Sequence, residues 1–281
     1  MFNKIGIIGG TGTMGKMFSF AISNLGYNIS VSDETSLAQE KEIISSADLI
    51  ILSVPIDATL KVIKRIGPKL KSNQLLVDFT SVKEQVVPAM LKYSAQVIPT
   101  HPMFGEMEDI SGQNVVLMPM MRSKQFHALD QLFKRLGLKT VILKSWQEHD
   151  RMMSFIQGLM HFMHIVFVRS LYYEGADVQT LMQLASPVYR ANFAFACRII
   201  SRDPNLYSHI LLDNKHNSKV LDHFITQASQ TLKSIKNNKV DDLNNLISKM
   251  NLYLGPIAGE FSNESDFLIQ QMTEYQSKKS K

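Results

Sequence analysis

Ile5-Gly6-Ile7-Ile8-Gly9-Gly10-Thr11-Gly12-Thr13-Met14-Gly15 is the stretch on which the fold turns. Its first residues read as a buried strand. Gly10, Gly12 and Gly15 then follow in G-x-G-x-x-G spacing at the mouth of a helix expected over 14–25. Each glycine has a mechanical reading: Gly10 permits the tight turn, Gly12 lets the backbone approach a pyrophosphate, and Gly15 lets the helix pack close to the strand. The helix N-terminus supplies unpaired N–H groups and the positive end of a dipole. Gly10, Gly12, Thr13, Met14 and Gly15 are therefore candidate cofactor contacts. Asp33 closes a second strand, expected over 28–32. A carboxylate at that place accepts from both ribose hydroxyls of NAD and repels a 2′-phosphate. Glu34 follows and no arginine lies near in the sequence, so NAD is expected in preference to NADP.

Working outward, β-branched runs alternate with helical patterns. Strands are expected over 4–8, 28–32, 49–53, 75–79, 96–100, 114–118 and 140–143, the rhythm of a parallel sheet covered on both faces. From about Trp146 onward apolar residues recur at helical spacing and no strand is expected. The fold class is thus an α/β Rossmann-type domain with a mostly parallel sheet (residues 1–145), followed by an all-helical domain (146–281). No Pro/Gly linker marks the boundary near Lys144, so the two are expected to pack directly and share a cleft. Ligands of such sheets bind beyond the carboxyl ends of the strands, which marks Ser53 and Pro55, Thr80 and Ser81, and His101.

Composition narrows the class. Of 281 residues, 45% are hydrophobic and 20% charged, as in globular proteins. The longest apolar runs, 49–52 and 165–168, fall far short of the roughly 20 residues of a bilayer span, and no signal segment precedes the first strand, so no membrane partner is expected. One cysteine, Cys197, excludes an intramolecular disulfide and fits a reducing, cytoplasmic setting. The net charge of +5 comes from scattered residues apart from Lys278, Lys279 and Lys281. That pattern suits anionic small molecules rather than nucleic acid.

The remaining candidates carry chemistry. His101 precedes Pro102, which favours an extended backbone at the rim of the sheet. Its imidazole could take a proton from a hydroxyl while hydride leaves the same carbon, or could be a loop histidine bonded to backbone. Ser81 reads as a helix N-cap after the strand ending at Phe79. On the helix from about Glu148, Met152, Ile156, Leu159, Met163 and Val166 form an apolar stripe. Asp150, Ser154, Gln157, His161 and His164 form a polar one, read as a solvated face or as the lining of a cleft. His161 and His164 lack a cysteine or carboxylate partner, so no metal is expected. Ser186 and Pro187 read as an N-cap and first helical residue. Arg190 then stands in the first turn, where a cation opposes the dipole unless an anion lies between.

His101-Pro102-Met103-Phe104-Gly105 resembles the prephenate dehydrogenases, especially the dehydrogenase part of the bifunctional chorismate mutase–prephenate dehydrogenases. The similarity continues through residues 7–15, 53–55, 78–83, 148–162, 186–190, 198–210 and, more loosely, 255–265. The resemblance implies NAD-dependent oxidative decarboxylation of prephenate to 4-hydroxyphenylpyruvate, in tyrosine biosynthesis. It implies that His101 is the general base with Ser81 assisting, that Gln157 and His161 lie beside the substrate, that Arg190 binds a substrate carboxylate, and that the chain forms a homodimer. Met160, Glu106-Met107 and Asn192-Phe193 depart from the commoner family residues around that site. Arogenate and 4-amino-4-deoxyprephenate are alternative substrates, although the latter has no ring hydroxyl for His101. A β-hydroxyacid dehydrogenase would rely on a helix lysine, absent from 148–171. A nucleotide-sensing or interaction protein on the same scaffold would be expected to lack His101, Ser81 or Arg190.

Overall fold

A computed structural model describes residues 2–93 and 95–279. The strands are β1 (Lys4–Ile8), β2 (Asn28–Ser32), β3 (Leu49–Leu52), β4 (Leu75–Asp78), β5 (Gln96–Val97), β6 (Thr100–Pro102), β7 (Asn114–Leu117) and β8 (Lys139–Ile142). The helices of the same half are α1 (Thr13–Asn24), α2 (Leu37–Ser46), α3 (Ile56–Ile66), α4 (Val86–Met90), α5 (Lys124–Arg135) and α6 (Trp146–Met153). Those that follow are α7 (Met160–Tyr173), α8 (Val178–Leu184), α9 (Pro187–Ile200), α10 (Pro204–Leu212), α11 (Asn217–Lys236), α12 (Val240–Leu254) and α13 (Pro256–Lys279). The Rossmann-like half with its parallel sheet, and the helical half after it, follow the order read from the sequence.

The chain forms two compact units, Met1–Ile156 with Ser208–His216, and Gln157–Tyr207 with Asn217–Lys281. The first unit holds a five-stranded parallel sheet in the order β2-β1-β3-β4-β5 and a three-stranded sheet in the order β6-β7-β8. Alternation along the central strands explains why the parallel sheet is covered twice. Leu49, Ile51, Leu75 and Val77 face Phe18 and Ile22 of α1 in one cluster, whereas Ile50, Leu52 and Leu76 face Ile43, Ile63 and Met90 in the other. Each such buried aliphatic side chain contributes about 1.5–3 kcal/mol.

One expected strand is two. Residues 96–100 divide into β5, paired with β4, and β6, paired antiparallel with β7. Pro99 stands between them with no N–H to continue a ladder. His101 consequently lies within β6, opposite Val116, rather than beyond the fifth strand of the parallel sheet.

In the second unit the buried hydrophobic residues among those described are Ala196 and Ile199 of α9. Leu252 and Tyr253 are each 83% exposed and Phe267 62%. The continuous helical stretch Trp146–Tyr173 (28 residues) is long and apolar enough to cross a bilayer by length and composition alone, although its uninterrupted apolar runs are short. Its fully buried residues, however, include the polar His149, Asp150 and Ser154, the reverse of a lipid-facing segment. Ser154–Leu159 within it is π-helical. That turn shifts the phase of the side chains, and Ile156 of the expected apolar stripe is 53% exposed.

Candidate active site

β1 and β3 are neighbours from which the chain departs toward opposite edges of the sheet, and their carboxyl ends form a switch point of the kind that binds ligands. Here the glycine-rich turn is built. Gly9, not Gly10, takes the left-handed conformation, with φ +84°, and its N–H donates to Ser32 O at 2.8 Å. A Cβ on Gly9 would lie 2.3 Å from Ser53 O, which places the carboxyl end of β3 directly against the turn. Gly10 is kept small by Val31, 2.6 Å from where its Cβ would be. Gly15 has the role expected of it. A Cβ there would stand 2.2 Å from Gly9 O and 2.7 Å from Gly10 Cα, so only glycine lets α1 start this close to the strand.

Gly12 is the N-cap of α1 and supplies no side-chain bond, so the N–H groups of the first turn, Thr13 and Met14 included, face outward. A cavity of about 840 Å³ runs beside Thr11, Gly12, Thr13 and Lys16 to the loop 106–111. It reaches the glycine turn but is not lined by His101 or Asp33. Asp33 follows β2, and its Oδ1 accepts from Thr35 N at 2.9 Å, Thr35 Oγ1 at 2.8 Å and Ser36 Oγ at 2.9 Å. Those bonds, Thr35's side chain foremost, hold its carboxyl below the usual range and keep it an acceptor. Ser53 is half-buried and Pro55 is the N-cap of α3.

A second cluster lies in the same unit. His101 is 3% exposed, and its Nδ1 is 2.9 Å from His149 Nε2. His149 Nδ1 is in turn 2.8 Å from Asp150 Oδ1. Both Asp150 oxygens accept from the Lys83 backbone N–H at 3.1 Å. Asn214 Nδ2 donates to Asp150 O at 2.7 Å. Lys83 is wholly buried and its ammonium donates to Asp78 Oδ2, to Thr80 Oγ1 at 3.2 Å and to Thr100 O at 2.6 Å. His101 is thus tied to two anchors, one through its ring and one through the carbonyl of the residue before it. Burial first, then His149 and the Lys83 cation, push its pKa well below the ordinary histidine value. It stays neutral, as a proton acceptor must.

Ser81 is half-buried with no hydrogen bond to its hydroxyl among the described residues, and it caps no helix, because α4 begins at Val86. The polar stripe is only partly solvated: Asp150 and Ser154 are fully buried, the former because it has bonds to satisfy it. His149, Asp150 as an anchor, and Lys83 were not singled out from sequence. Asp78 and Lys83 carried a signal, opposite charges at the end of β4 and five residues on, but burial of both had no sequence mark.

In the second unit Gln157 Oε1, His161 Nδ1, His164 Nδ1 and the Tyr189 hydroxyl are buried without a partner among the described residues. Burial, with His164 adding to it, pushes the His161 pKa down to about 4. Ser186 caps α9 by accepting from Tyr189 N at 3.2 Å, with Pro187 as the first helical residue, as expected. Arg190 is half-buried and donates from Nη1 to Met182 O in the last turn of α8 at 2.9 Å. That bond uses one of its five donors. No group of three or more metal-ligating side chains occurs among the described residues.

Comparison with known proteins agrees with this architecture. A family model described as prephenate dehydrogenase, nucleotide-binding domain, matches residues 22–142, and one described as prephenate dehydrogenase, dimerization domain, matches 145–249. The T-protein of Haemophilus influenzae is 32% identical over 271 residues, covering 96% of this chain and 72% of that protein. A probable arogenate/prephenate dehydrogenase of Methanocaldococcus jannaschii is 31% identical over 290 residues, covering 96% of this chain and 65% of that protein, just under two thirds of its length. Among solved structures, prephenate dehydrogenase from Aquifex aeolicus superposes with a TM-score of 0.73 at 18% identity, covering 90% of this chain and 99% of that one. The same enzyme in complex with hydroxyphenyl propionate and NAD+ gives a TM-score of 0.69 at 17% identity, with 90% and 97% covered. At these identities the structures speak for the fold.

Proposed function

The chain belongs to the prephenate dehydrogenase family, and from that premise we propose that it is an NAD-dependent dehydrogenase that oxidatively decarboxylates prephenate. The observation that carries the reading is His101, a neutral buried imidazole whose Nδ1 is occupied by His149 and whose Nε2 has no protein partner among the described residues.

The glycine-rich turn fits a dinucleotide. Gly15 brings the open N-terminus of α1 against the turn, where a Cβ would fill the space, and Asp33 presents an ionised carboxylate at the end of β2. Gly10, Gly12, Thr13, Met14 and Gly15 would hold the pyrophosphate side and Asp33 the ribose, with Ser53 and Pro55 at the neighbouring strand end. Bound NAD+ supplies the hydride acceptor. His101 Nε2 takes the proton of the ring hydroxyl as hydride leaves the carbon that bears it. The ring carboxylate then departs as carbon dioxide, its bonding pair enters the ring, and the oxygen recovers a proton to give 4-hydroxyphenylpyruvate. Ser81, whose hydroxyl has no hydrogen bond among the described residues, is free to assist at the substrate. To Arg190 we assign a substrate carboxylate, which an arginine can grip with its remaining donors. To His161 and Gln157, whose buried Nδ1 and Oε1 lack partners among the described residues, we assign further substrate contacts. The exposed apolar side chains of the second unit suit self-association into a homodimer.

The test is a panel: prephenate, arogenate and 4-amino-4-deoxyprephenate, each with NAD+ and with NADP+, followed by the absorbance of the reduced cofactor. The reading expects the highest kcat/KM with prephenate and NAD+. Higher efficiency with arogenate would move the substrate, and equal use of NADP+ would remove Asp33 from the ribose.

A further inference from the structure

A base needs its lone pair in the right place, and imidazole has two nitrogens to choose between. The row Asp150–His149–His101 leaves one consistent assignment. Asp150, as a carboxylate, has no proton to give, so the hydrogen bond at His149 Nδ1 is donated by that nitrogen. A neutral His149 then carries its lone pair on Nε2, where it accepts from His101 Nδ1–H. His101 is left with its own lone pair on Nε2, the nitrogen that no other side chain takes among the described residues. From this geometry we infer that Asp150 and His149 are positioning residues that lock His101 in its Nδ1–H tautomer and so aim its Nε2 lone pair at the substrate.

The inference rests on the reading of His101 as the base, and it goes beyond that reading by naming what sets its tautomer. The groups around the row agree with it. Burial keeps His149 as well as His101 below the ordinary histidine range, with Lys83 lowering both and Asp150 acting on His149 in the opposite sense. Were His149 charged, it would donate from both nitrogens, and His101 would have to turn its lone pair inward to meet it. The Asp150 carboxylate is itself aimed by two bonds from the Lys83 backbone and by the Asn214 clamp on its helix. The wall behind the base is therefore fixed from β4, from the segment after it and from α6.

Imidazole ¹⁵N NMR of the whole protein reads the tautomer directly, because protonated and bare ring nitrogens have distinct shifts. The expected result is a His101 signal pair with Nδ1 protonated and Nε2 bare. An Nε2-protonated His101 in the wild type would overturn the inference outright. Kinetics supply the second arm. His149→Leu removes the acceptor and should lower kcat by about 10²-fold or more, the lower bound for general-base catalysis, with KM and NAD+ affinity little changed. His149→Gln restores an amide oxygen near the place of Nε2 and should recover kcat to within roughly tenfold of wild type. Equal loss in both variants with a lowered urea midpoint would assign His149 to the scaffold alone and sink the relay. His101→Asn separates the two readings. If it keeps wild-type kcat, the base is elsewhere; if it abolishes turnover while His149→Leu does not, the base stands and the relay falls.

Discussion

Lys83→Met is the perturbation whose size the structure best defines. The side chain is fully buried, and its ammonium holds Asp78, Thr80 and the Thr100 carbonyl together. Methionine keeps most of the alkyl packing and removes the charge and all three bonds. Among the described residues Asp78, itself 0% exposed, would keep for its carboxylate only the Thr80 N–H at 3.2 Å and the Thr80 hydroxyl, and its Oδ1 already has no partner. Breaking a buried pair by deleting one member costs about 3–5 kcal/mol, because the other charge stays behind in a medium that solvates it poorly. Against a typical domain stability of about 5–15 kcal/mol this is about a fifth or more. Urea denaturation followed by Trp146, the one tryptophan and the first residue of α6, reports on the same unit. Asp78→Asn combined with Lys83→Met should recover much of the loss, since removing both charges also removes the desolvation they share. A single-variant loss below about 1 kcal/mol would mean that the pair is solvated and the anchor under His101 is not as described.

Gly15→Ala should weaken NAD+ binding by about tenfold or more and cost about 1–3 kcal/mol of stability, because its Cβ would strike backbone at Gly9 and Gly10 rather than a movable side chain; calorimetric titration with NAD+ checks it, and unchanged affinity would show that α1 can slide. Arg190→Ala should raise KM for the substrate far more than it changes NAD+ affinity, by an amount on the order of 2–5 kcal/mol if the guanidinium meets a desolvated carboxylate. Should KM and kcat both stay put while the helical unit loosens, the bond to Met182 O is the whole role of Arg190.

Much of the fold was legible because its signals are local. Strand alternation, the glycine spacing and the Ser186-Pro187 cap each depend on a few neighbouring residues, and each reappears where expected. What escaped depends on distant partners. Gly9 rather than Gly10 bends left-handed because the turn must meet Ser53 from another strand. The break between β5 and β6 follows from which sheet each half joins, although Pro99 hinted at it. At the site, His101 stood out by its neighbours in sequence. His149 and Asp150 did not, since helical periodicity places a polar stripe but cannot say that it is buried. Asp150 accepts from a backbone 67 residues away, and His149 meets a histidine 48 residues away. Such pairings exist only once the sheet and α6 are assembled.

The most direct test of the account is the pH dependence of kcat for oxidation of prephenate by NAD+, measured in the wild type and in His101→Asn. In the wild type the lone pair on His101 is present above the ordinary histidine range and is lost as pH falls through a pKa that burial has pushed well below 6.5. The acid limb should therefore lie well below that value, with full activity at neutral pH. In His101→Asn the limb should vanish and kcat should fall by about 10²- to 10⁴-fold, with NAD+ binding retained. A variant that keeps near-normal kcat and the same acid limb would contradict the account and turn attention to His161.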